Sequence, residues 1–383
     1  MTLHFSTGEL AARRRLACDA LIEGGLDGLL MFRQESMFYL TGYDTFGYVF
    51  FQCLYLGVDG RMVLLTRAPD LRQAQQTSVI DDIRVWIDSP DAAPAHELRA
   101  ILDEMGCAGA RLGVEYEAYG LTARSGRRLD AALEGFCRSV DASELVSRLR
   151  LVKSEAEIAY VRTAAELADR ALDEAHALCA PGADEAAIVA AMQGAVLAGG
   201  GDYPGNEFII GSGPGALLCR YFSGRRRLDA ADQLTLEWAG VYRHYHAAMM
   251  RTLCIGPPPA RQIEMHAVAR DALLAVEAAL KPGRPVGDAF DAHAAVLDGA
   301  GYRAHRMNAC GYSLGTTFSP NWMDWPMLYH GNRVEAASGM VFFCHMIIFD
   351  SDADLAMTLG RTSLIADTGA EPLSGALLDL FVV

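Results

Sequence analysis

A capping box at Ser154 and Glu157 predicts a helix start inside the chain, and this feature divides the sequence into two differently patterned parts. A serine at the N-cap and a glutamate three residues later each accept a hydrogen bond from the other's backbone N–H, which favours a helix start. The amphipathic pattern that follows predicts a helix over 155–178. A chain of 383 residues is too long for one ordinary core and short for three. We therefore predict two domains, residues 1–148 and 149–383.

The amino-terminal part alternates stretches of helical period with short apolar runs. The predicted elements are a helix over 8–25, a strand over 26–32, a hairpin around 58–60, a helix over 94–105, a strand over 111–115 and a helix over 119–135. An alternating order of this kind is typical of an α/β domain.

The carboxy-terminal part has longer helices and strands that follow one another in pairs. The predicted helices are 155–178, 184–198 and 260–281, and the predicted strands are 206–212, 233–239, 241–255, 339–349 and 355–366. Helix pairs followed by antiparallel strands occur twice, which predicts an α+β domain made of two similar halves around a curved sheet.

The charge balance excludes some partners. With 33 basic and 48 acidic residues, the net charge is −15, which repels nucleic acid phosphates and anionic lipid. The basic cluster at 225–227 is three residues long and is typical of a solvated turn. We expect a small-molecule substrate and neither a nucleic acid nor a membrane partner.

Two further observations indicate the compartment. No segment approaches the ~18 uninterrupted apolar residues of a membrane span, and the amino terminus has no apolar stretch of signal-peptide length. The nine cysteines occur without CxxC spacing, which favours reduced thiols over a disulfide framework or a zinc ribbon. We expect a cytoplasmic protein.

Seven stretches occur together in an order and spacing that make chance agreement improbable. They are FYLTGY (38–43), RLRLVKSEAEIAYVRTAAELADRAL (148–172), GSGPGAL (211–217), LTLEWAGVYRHYHAAMMRTLCIG (234–256), ACGYSLG (309–315), SGMVFFCHM (338–346) and LIADTGAEPLS (364–374). In these stretches the chain resembles the creatinase / aminopeptidase P / prolidase family along its whole length.

The resemblance implies an α/β amino domain of ribonuclease-H-like topology and an α+β pita-bread catalytic domain with pseudo-two-fold halves. It also implies a homodimer in which the partner's amino domain covers the site. Peptidases of the family bind two metal ions through two aspartates, a histidine and two glutamates. Several convergent carboxylates suit hard divalent cations, which generate a hydroxide nucleophile.

These ligand positions are mostly replaced in this chain. In family order they are occupied by Glu237, Ala248, Tyr312, His345 and Gly360. One carboxylate of five remains, and Glu237 and His345 alone cannot hold two hard cations. We therefore expect neither a metal ion nor another cofactor.

Other segments resemble the metal-independent members of the family, ectoine hydrolase and creatinase, which attack a C–N bond of a small nitrogenous solute. They are GGDYP (200–204), E-x-A-G (237–240), Y-x-x-Y-H (242–246), the Arg-Thr pair at 251–252, and G-Y-x-x-G (311–315) with the Pro-x-Trp stretch that ends at Trp322. The histidine that activates water in creatinase is replaced here by Arg220. The resemblance implies a metal-independent hydrolase of an amidine, guanidine or amide.

Three residues are candidates for catalytic proton transfer. Glu237 ends an apolar strand, where burial raises the pKa of a carboxyl group; it is either an acid–base or nucleophilic group or a structural partner of Arg251. His246 is either the base that replaces the missing histidine or a core histidine bonded to backbone. His345 lies deep in a strand, where it either lines the site or packs in the core.

A second group of residues is predicted to hold the substrate. An arginine can pair with a substrate carboxylate through its bidentate fork, and aromatic faces hold cationic solutes. Ordinary packing or an internal salt bridge is the alternative for each. The residues are Arg220, Arg251, Tyr203, Tyr312, Phe46, Tyr48 and Trp322.

Three other functions stay open. An Xaa-Pro dipeptidase or aminopeptidase would need an unusual site, since its metal ligands are missing. A non-catalytic binding module of pita-bread fold would explain those losses, although it would not explain the retention of Glu237. A lyase acting on a cationic solute would use the same base for elimination.

Overall fold

The chain separates into two units at the boundary between Arg150 and Leu151 in the computed structural model, which describes residues 3–220 and 225–383. Unit 1 is Met1–Arg150 and unit 2 is Leu151–Val383. No helix within the described ranges is long and apolar enough to cross a membrane.

The predicted capping box is present just after this boundary. Ser154 Oγ accepts a hydrogen bond from Glu157 N at 3.3 Å, and Glu157 Oε2 accepts one from Ser154 N at 2.9 Å. The helix that begins here is Glu155–Leu178, as the amphipathic pattern predicted. The two hydrogen bonds satisfy backbone N–H groups that a helix start otherwise leaves free.

Unit 1 is an α/β unit, as predicted. Its elements are α1 (Thr7–Glu23), β1 (Gly28–Met31), α2 (Gln34–Thr41), β2 (Cys53–Gly57), β3 (Met62–Arg67), α3 (Leu71–Thr77), β4 (Ile83–Trp86), α4 (Pro94–Glu104), β5 (Arg111–Val114), α5 (Ala123–Leu133), β6 (Arg138–Asp141) and α6 (Leu145–Leu149). The strand order is β4-β3-β2-β1-β5-β6, in which β1, β2 and β3 are antiparallel neighbours. The other pairs are parallel. Helices cover both faces of the sheet, which explains why its central strands are apolar without alternation.

Unit 2 is an α+β unit with the two-fold repeated order that the sequence predicted. Its elements are α7 (Glu155–Leu178), α8 (Glu185–Ala198), β7 (Ile209–Ser212), β8 (Asp232–Tyr242), β9 (Tyr245–Ile255), α9 (Ala260–Ala279), α10 (Gly287–Gly299), β10 (Ala309–Ser313), β11 (Asp324–Tyr329), β12 (Val341–Asp350), β13 (Leu355–Ala366) and β14 (Gly369–Pro372). The strand order is β11-β10-β12-β13-β9-β8-β7, with β14 on β13. The two halves meet at the centre, where β9 pairs with β13.

The central sheet of unit 2 has two different faces because side chains alternate along each strand. One face, here called the helix face, packs against α7, α9 and α10. Phe342, Cys344 and Met346 of β12 lie on it within a core shared with α9 and α10. Gly240 of β8 lies so close to α7 that an added Cβ would be 1.9 Å from the carbonyl oxygen of Ala164. The opposite face, called the site face, carries the intervening residues.

The predicted break between strands 233–239 and 241–255 is misplaced. β8 continues to Tyr242, and the chain reverses at Arg243 and His244, which have φ values of 50° and 66°. Gly240 suggested a turn, but the close approach of α7 is what requires a glycine there. Elements α10, β10 and β11 were not predicted.

Candidate active site

Four residues form a row across the centre of the site face. Glu237 is paired with Met250, Met250 with Gly360, and Gly360 with His345 in the registers of the neighbouring strands. Directly opposed residues in a sheet present their side chains on the same face, about 5 Å from one another. The fold therefore brings Glu237 and His345, one from each half of unit 2, onto one surface.

Glu237 is a buried carboxyl group with a raised pKa. Only 9% of the residue is exposed, and burial raises its pKa from 4.5 to about 7. A hydrogen bond from Tyr312 and the positive charge of Arg220 act in the opposite direction. Glu237 therefore exchanges a proton in the neutral range, as a general acid or base must.

Tyr312 and Trp322 form a hydrogen-bonded chain that ends on Glu237. Trp322 Nε1 donates to Tyr312 Oη at 2.8 Å, and Tyr312 Oη donates to Glu237 Oε1 at 3.2 Å. Burial and the nearby Glu237 charge raise the pKa of the Tyr312 hydroxyl well above its usual value, so it stays a proton donor. Trp322 was predicted to contact substrate, but at 1% exposure it is a core side chain that donates to Tyr312.

His345 has an unused polar atom. Among the described residues its Nδ1 has no hydrogen-bond partner, although the residue is only 8% exposed. Burial lowers its pKa to about 3, so the imidazole is neutral at physiological pH. Its ring packs beside Tyr312 and Phe343, with centroid distances of 5.6 and 5.4 Å. A buried polar atom without a partner is costly, and a bound molecule could supply the missing hydrogen bond.

The side chains at the family's metal positions do not fit two divalent cations. Ala248 offers a methyl group, and a Cβ added at Gly360 would lie 2.9 Å from both the Cys344 carbonyl oxygen and Phe343 Cε2. Within the described part of the chain, no group of three or more histidine, cysteine, aspartate or glutamate side chains could hold a metal ion. Hard cations need six or more oxygen ligands, which these residues do not supply.

His246 makes the backbone contacts that the core-histidine alternative predicted. Its Nε2 accepts a hydrogen bond from Gly205 N at 2.9 Å, so the ring proton is on Nδ1, which lies 2.9 Å from the carbonyl oxygen of His244. Thr317 Oγ1 lies 3.1 Å from the same Nδ1. Burial lowers the pKa of His246 to about 3. These contacts engage both ring nitrogens, and the role of His246 as catalytic base stays a prediction.

Arg251 lies on the helix face. Its strand partner is Leu236, so its side chain projects away from the face that carries Glu237. Nη1 donates to the carbonyl oxygens of Met250 and Gly360 at 2.8 and 2.6 Å. Burial, followed by the charge of Arg361, lowers its pKa to about 10. Neither predicted role, substrate binding nor neutralisation of Glu237, is compatible with this position.

Arg220 and Tyr203 are the exposed members of the predicted set in unit 2. Arg220 follows β7, and its charge lowers the pKa of both Glu237 and His345. Tyr203 is 80% exposed and belongs to the 200–206 loop, which His246 holds through Gly205. These positions leave their roles in substrate binding as predictions.

Phe46 and Tyr48 belong to unit 1. Phe46 precedes the short 3₁₀ helix Gly47–Val49 and is 77% exposed, whereas Tyr48 is buried. Their role in substrate binding also stays a prediction.

Comparison with known proteins gives matches to two family models. The Creatinase/Prolidase N-terminal domain model matches residues 13–152, and the Metallopeptidase family M24 model matches residues 159–367. Among curated proteins, an ectoine hydrolase from Halomonas elongata is 27% identical over 399 residues, which cover 100% of this chain and 99% of that protein. An Xaa-Pro dipeptidase from Pyrococcus furiosus is 23% identical over 231 residues, which cover 60% of this chain and 65% of that protein.

The same fold occurs in solved structures. A prolidase from Thermococcus sibiricus superposes with a TM-score of 0.89 at 18% identity, and the match covers 99% of this chain and 100% of that chain. The architecture is therefore retained, while the residues at the centre of the sheet differ from the expected metal ligands.

Proposed function

Because this chain belongs to metallopeptidase family M24 and is a hydrolase by family, we propose that it hydrolyses a C–N bond of a small nitrogenous solute without a metal ion. The solute would be an amidine, a guanidine or an amide. The observation that carries the proposal is Glu237, a buried carboxyl group with a pKa of about 7 on a face whose other side chains do not fit divalent cations.

The proposed chemistry uses both protonation states of Glu237. As a carboxylate it takes a proton from water while the water oxygen bonds to the electrophilic carbon of the solute. The protonated Glu237 then gives this proton to the departing nitrogen as the C–N bond breaks. A carboxylate that attacks the carbon directly is the alternative, and water then releases the product.

Two further residues would hold the solute. The unpartnered Nδ1 of His345 would form a hydrogen bond to it, and Arg220 would pair with a carboxylate if the solute carries one. The full-length similarity to an ectoine hydrolase supports a non-peptide substrate.

A peptidase is the second candidate, because an Xaa-Pro dipeptidase and prolidase structures are also similar to this chain. This activity depends on metal ions in the family, and the residues at the ligand positions do not fit them. Metal dependence therefore separates the two candidates.

The experiment compares cyclic amidines, guanidino compounds, small amides and Xaa-Pro dipeptides as substrates before and after chelation. We expect one non-peptide class to gain a molecule of water, detected by mass spectrometry, at a rate that chelation leaves unchanged. Glu237→Gln should lower this rate by on the order of 10²-fold or more. Metal-dependent cleavage of dipeptides, elimination without water addition, or binding without turnover would each contradict the proposal.

The protein should carry substoichiometric metal when purified, since one carboxylate and one imidazole give weak binding to hard cations. Elemental analysis and the melting temperature with and without chelator measure this. Two tightly bound equivalents of manganese, iron, cobalt or zinc would exclude a metal-independent site.

We also propose a homodimer. Phe46, Val49 and Phe50 are large apolar residues that remain 77%, 57% and 45% exposed on unit 1, and a cluster of this kind favours association. Light scattering should give about twice the mass of the 41.4 kDa chain. A monomer at micromolar concentration would contradict this proposal.

A further inference from the structure

The direction of each hydrogen bond in the chain from Trp322 to Glu237 follows from its donor. An indole N–H can only donate, so Tyr312 Oη must be the acceptor of the 2.8 Å bond from Trp322. The phenolic proton of Tyr312 is then free to point elsewhere, and Glu237 Oε1 lies 3.2 Å away. A carboxylate can only accept. The arrangement thus has one consistent direction, from Trp322 through Tyr312 to ionised Glu237.

Trp322 is held firmly at the start of this chain. The residue is 1% exposed, and its backbone N donates to Asn206 Oδ1 at 3.2 Å. Its carbonyl oxygen accepts from Thr317 Oγ1 at 3.4 Å. Gly205 packs so closely that an added Cβ would lie 3.0 Å from Trp322 N. The 200–206 loop and the segment after β10 therefore hold the backbone of Trp322 from both sides.

We propose that Trp322 is a positioning residue, which acts through Tyr312 by directing the phenolic proton to Glu237. Without the indole N–H, the Tyr312 hydroxyl could turn and accept a hydrogen bond from the O–H of protonated Glu237 instead. The indole N–H occupies one acceptor site of the Tyr312 oxygen, which favours the orientation in which the phenol donates to the Glu237 carboxylate. Among the described residues, the charged and titratable groups that interact with Glu237 are Tyr312 from β10 and Cys219 and Arg220 from the segment after β7, and His345 from β12 packs beside Tyr312. Of these, Tyr312 donates the hydrogen bond.

The test measures the ionisation of Glu237 directly, without substrate. Infrared difference spectra between the wild type and Glu237→Gln give the carboxyl band of this residue, and its midpoint pH is followed by titration. We expect Trp322→Phe to raise the midpoint pH of the Glu237 carboxyl band by about 0.5 to 1 pH unit, which is the effect of weakening one hydrogen bond. Tyr312→Phe should raise it as well, and Trp322→Phe should add nothing to Tyr312→Phe, because Trp322 acts only through the hydroxyl. An unchanged midpoint in Trp322→Phe, or additive shifts in the double variant, would overturn the proposal.

Trp238 offers a matched control. It is also fully buried, lies next to Glu237 in sequence, and donates through Nε1 to a backbone carbonyl, that of Ala168, at 2.9 Å on the helix face. Trp238→Phe loses the same kind of hydrogen bond and should leave the Glu237 midpoint unchanged. A midpoint that moves as much in Trp238→Phe as in Trp322→Phe would show a general effect of destabilisation. If Trp322→Phe does not fold, Asn206→Ala removes the hydrogen bond to the Trp322 backbone N and so loosens this residue, and a midpoint that stays in place there also contradicts the proposal.

A second test, which measures enzyme activity, rests on the proposed function. At pH 7, Trp322→Phe should lower kcat about threefold with little change in KM, because a smaller fraction of Glu237 is ionised. The acid limb of the pH profile should move upward with the infrared midpoint. If no substrate is turned over, the proposed function fails while the infrared test still decides the role of Trp322.

Discussion

Two buried glutamates lie on opposite faces of the same sheet and differ in their hydrogen-bond donors. Glu277 of α9 faces the helix side, where Arg361 Nε and Ser363 Oγ donate to Oε1 at 2.8 Å each and Arg361 Nη2 donates to Oε2 at 2.7 Å. From the part of the chain that the structure describes, Glu237 on the site face receives one such bond, from Tyr312. Their exposed fractions are similar, at 7% and 9%.

The difference between the two carboxylates is therefore one of partners and not of burial. A buried charge with a guanidinium partner and further hydrogen bonds is a structural element. A buried carboxyl group with one neutral donor exchanges its proton near neutral pH. The comparison distinguishes a glutamate that holds the fold from one that is available for chemistry.

The largest effect on stability should come from the helix face. Glu277→Gln leaves the largely buried Arg361 guanidinium, whose side chain is 12% exposed, without its counterion, which should lower the free energy of unfolding by about 3 kcal/mol. Chemical denaturation measures this loss. Below its melting temperature the variant should retain kcat, since Glu277 does not reach the site face. If Glu277→Gln left the stability unchanged, Glu277 would not stabilise the fold, and the proposed difference in role between Glu277 and Glu237 would be wrong.

Glu237→Gln should raise the free energy of unfolding at alkaline pH, whereas Glu277→Gln lowers it. The pKa of Glu237 is raised to about 7 in the folded protein, so its stabilising contribution is complete below pH 4.5 and is lost as the pH rises through 7. A neutral amide avoids this loss, and the variant should be more stable than the wild type by about 1–3 kcal/mol at pH 8.5. The two proteins should converge near pH 4.5. Destabilisation of the variant at pH 8.5 would indicate an unrecognised cationic partner of Glu237.

The smallest expected change in stability comes from adding a methyl group on the site face. Gly360→Ala places a methyl group against the Cys344 carbonyl oxygen and the Phe343 ring, which should cost about 1–2 kcal/mol of unfolding free energy. Gly194 in α8 is the control, because nothing lies within 4 Å of an added Cβ there. Gly194→Ala should stabilise the protein by up to about 1 kcal/mol. Equal stability of the Gly360→Ala protein and the wild type would show that the site face has room for a ligand at this position.

Much of the fold could be predicted from the sequence, because the long helices and strands have a clear hydrophobic pattern and are bounded by recognisable capping or turn residues. The helix Glu155–Leu178 follows from its capping box, and β12 follows from a largely apolar run. Short elements such as β10 and β11 could not be separated from loops, since each has only five or six residues in which to show a pattern.

The candidate site was predicted in part. Family position selected Glu237 and His345, and the strand registers place both on the same face. Arg251 was selected from the resemblance of its Arg-Thr pair, a motif that does not show on which face of the sheet the side chain lies. With the reversal at residues 243–244, Arg251 pairs with Leu236 and faces the helices. A one-residue change in register moves a side chain to the other face, so strand pairing had to be known first.

The alternation along β13 has a consequence for how such a protein can change over evolutionary time. Gly360 faces the site, and the next residue, Arg361, holds Glu277 on the helix face. Substitutions at every second position can therefore exchange reactive groups while the intervening positions continue to support the scaffold. The residues that face the site and the residues that support the fold alternate along the strand. Metal ligands on the site face can therefore be replaced by groups suited to a different reaction while each intermediate sequence still folds.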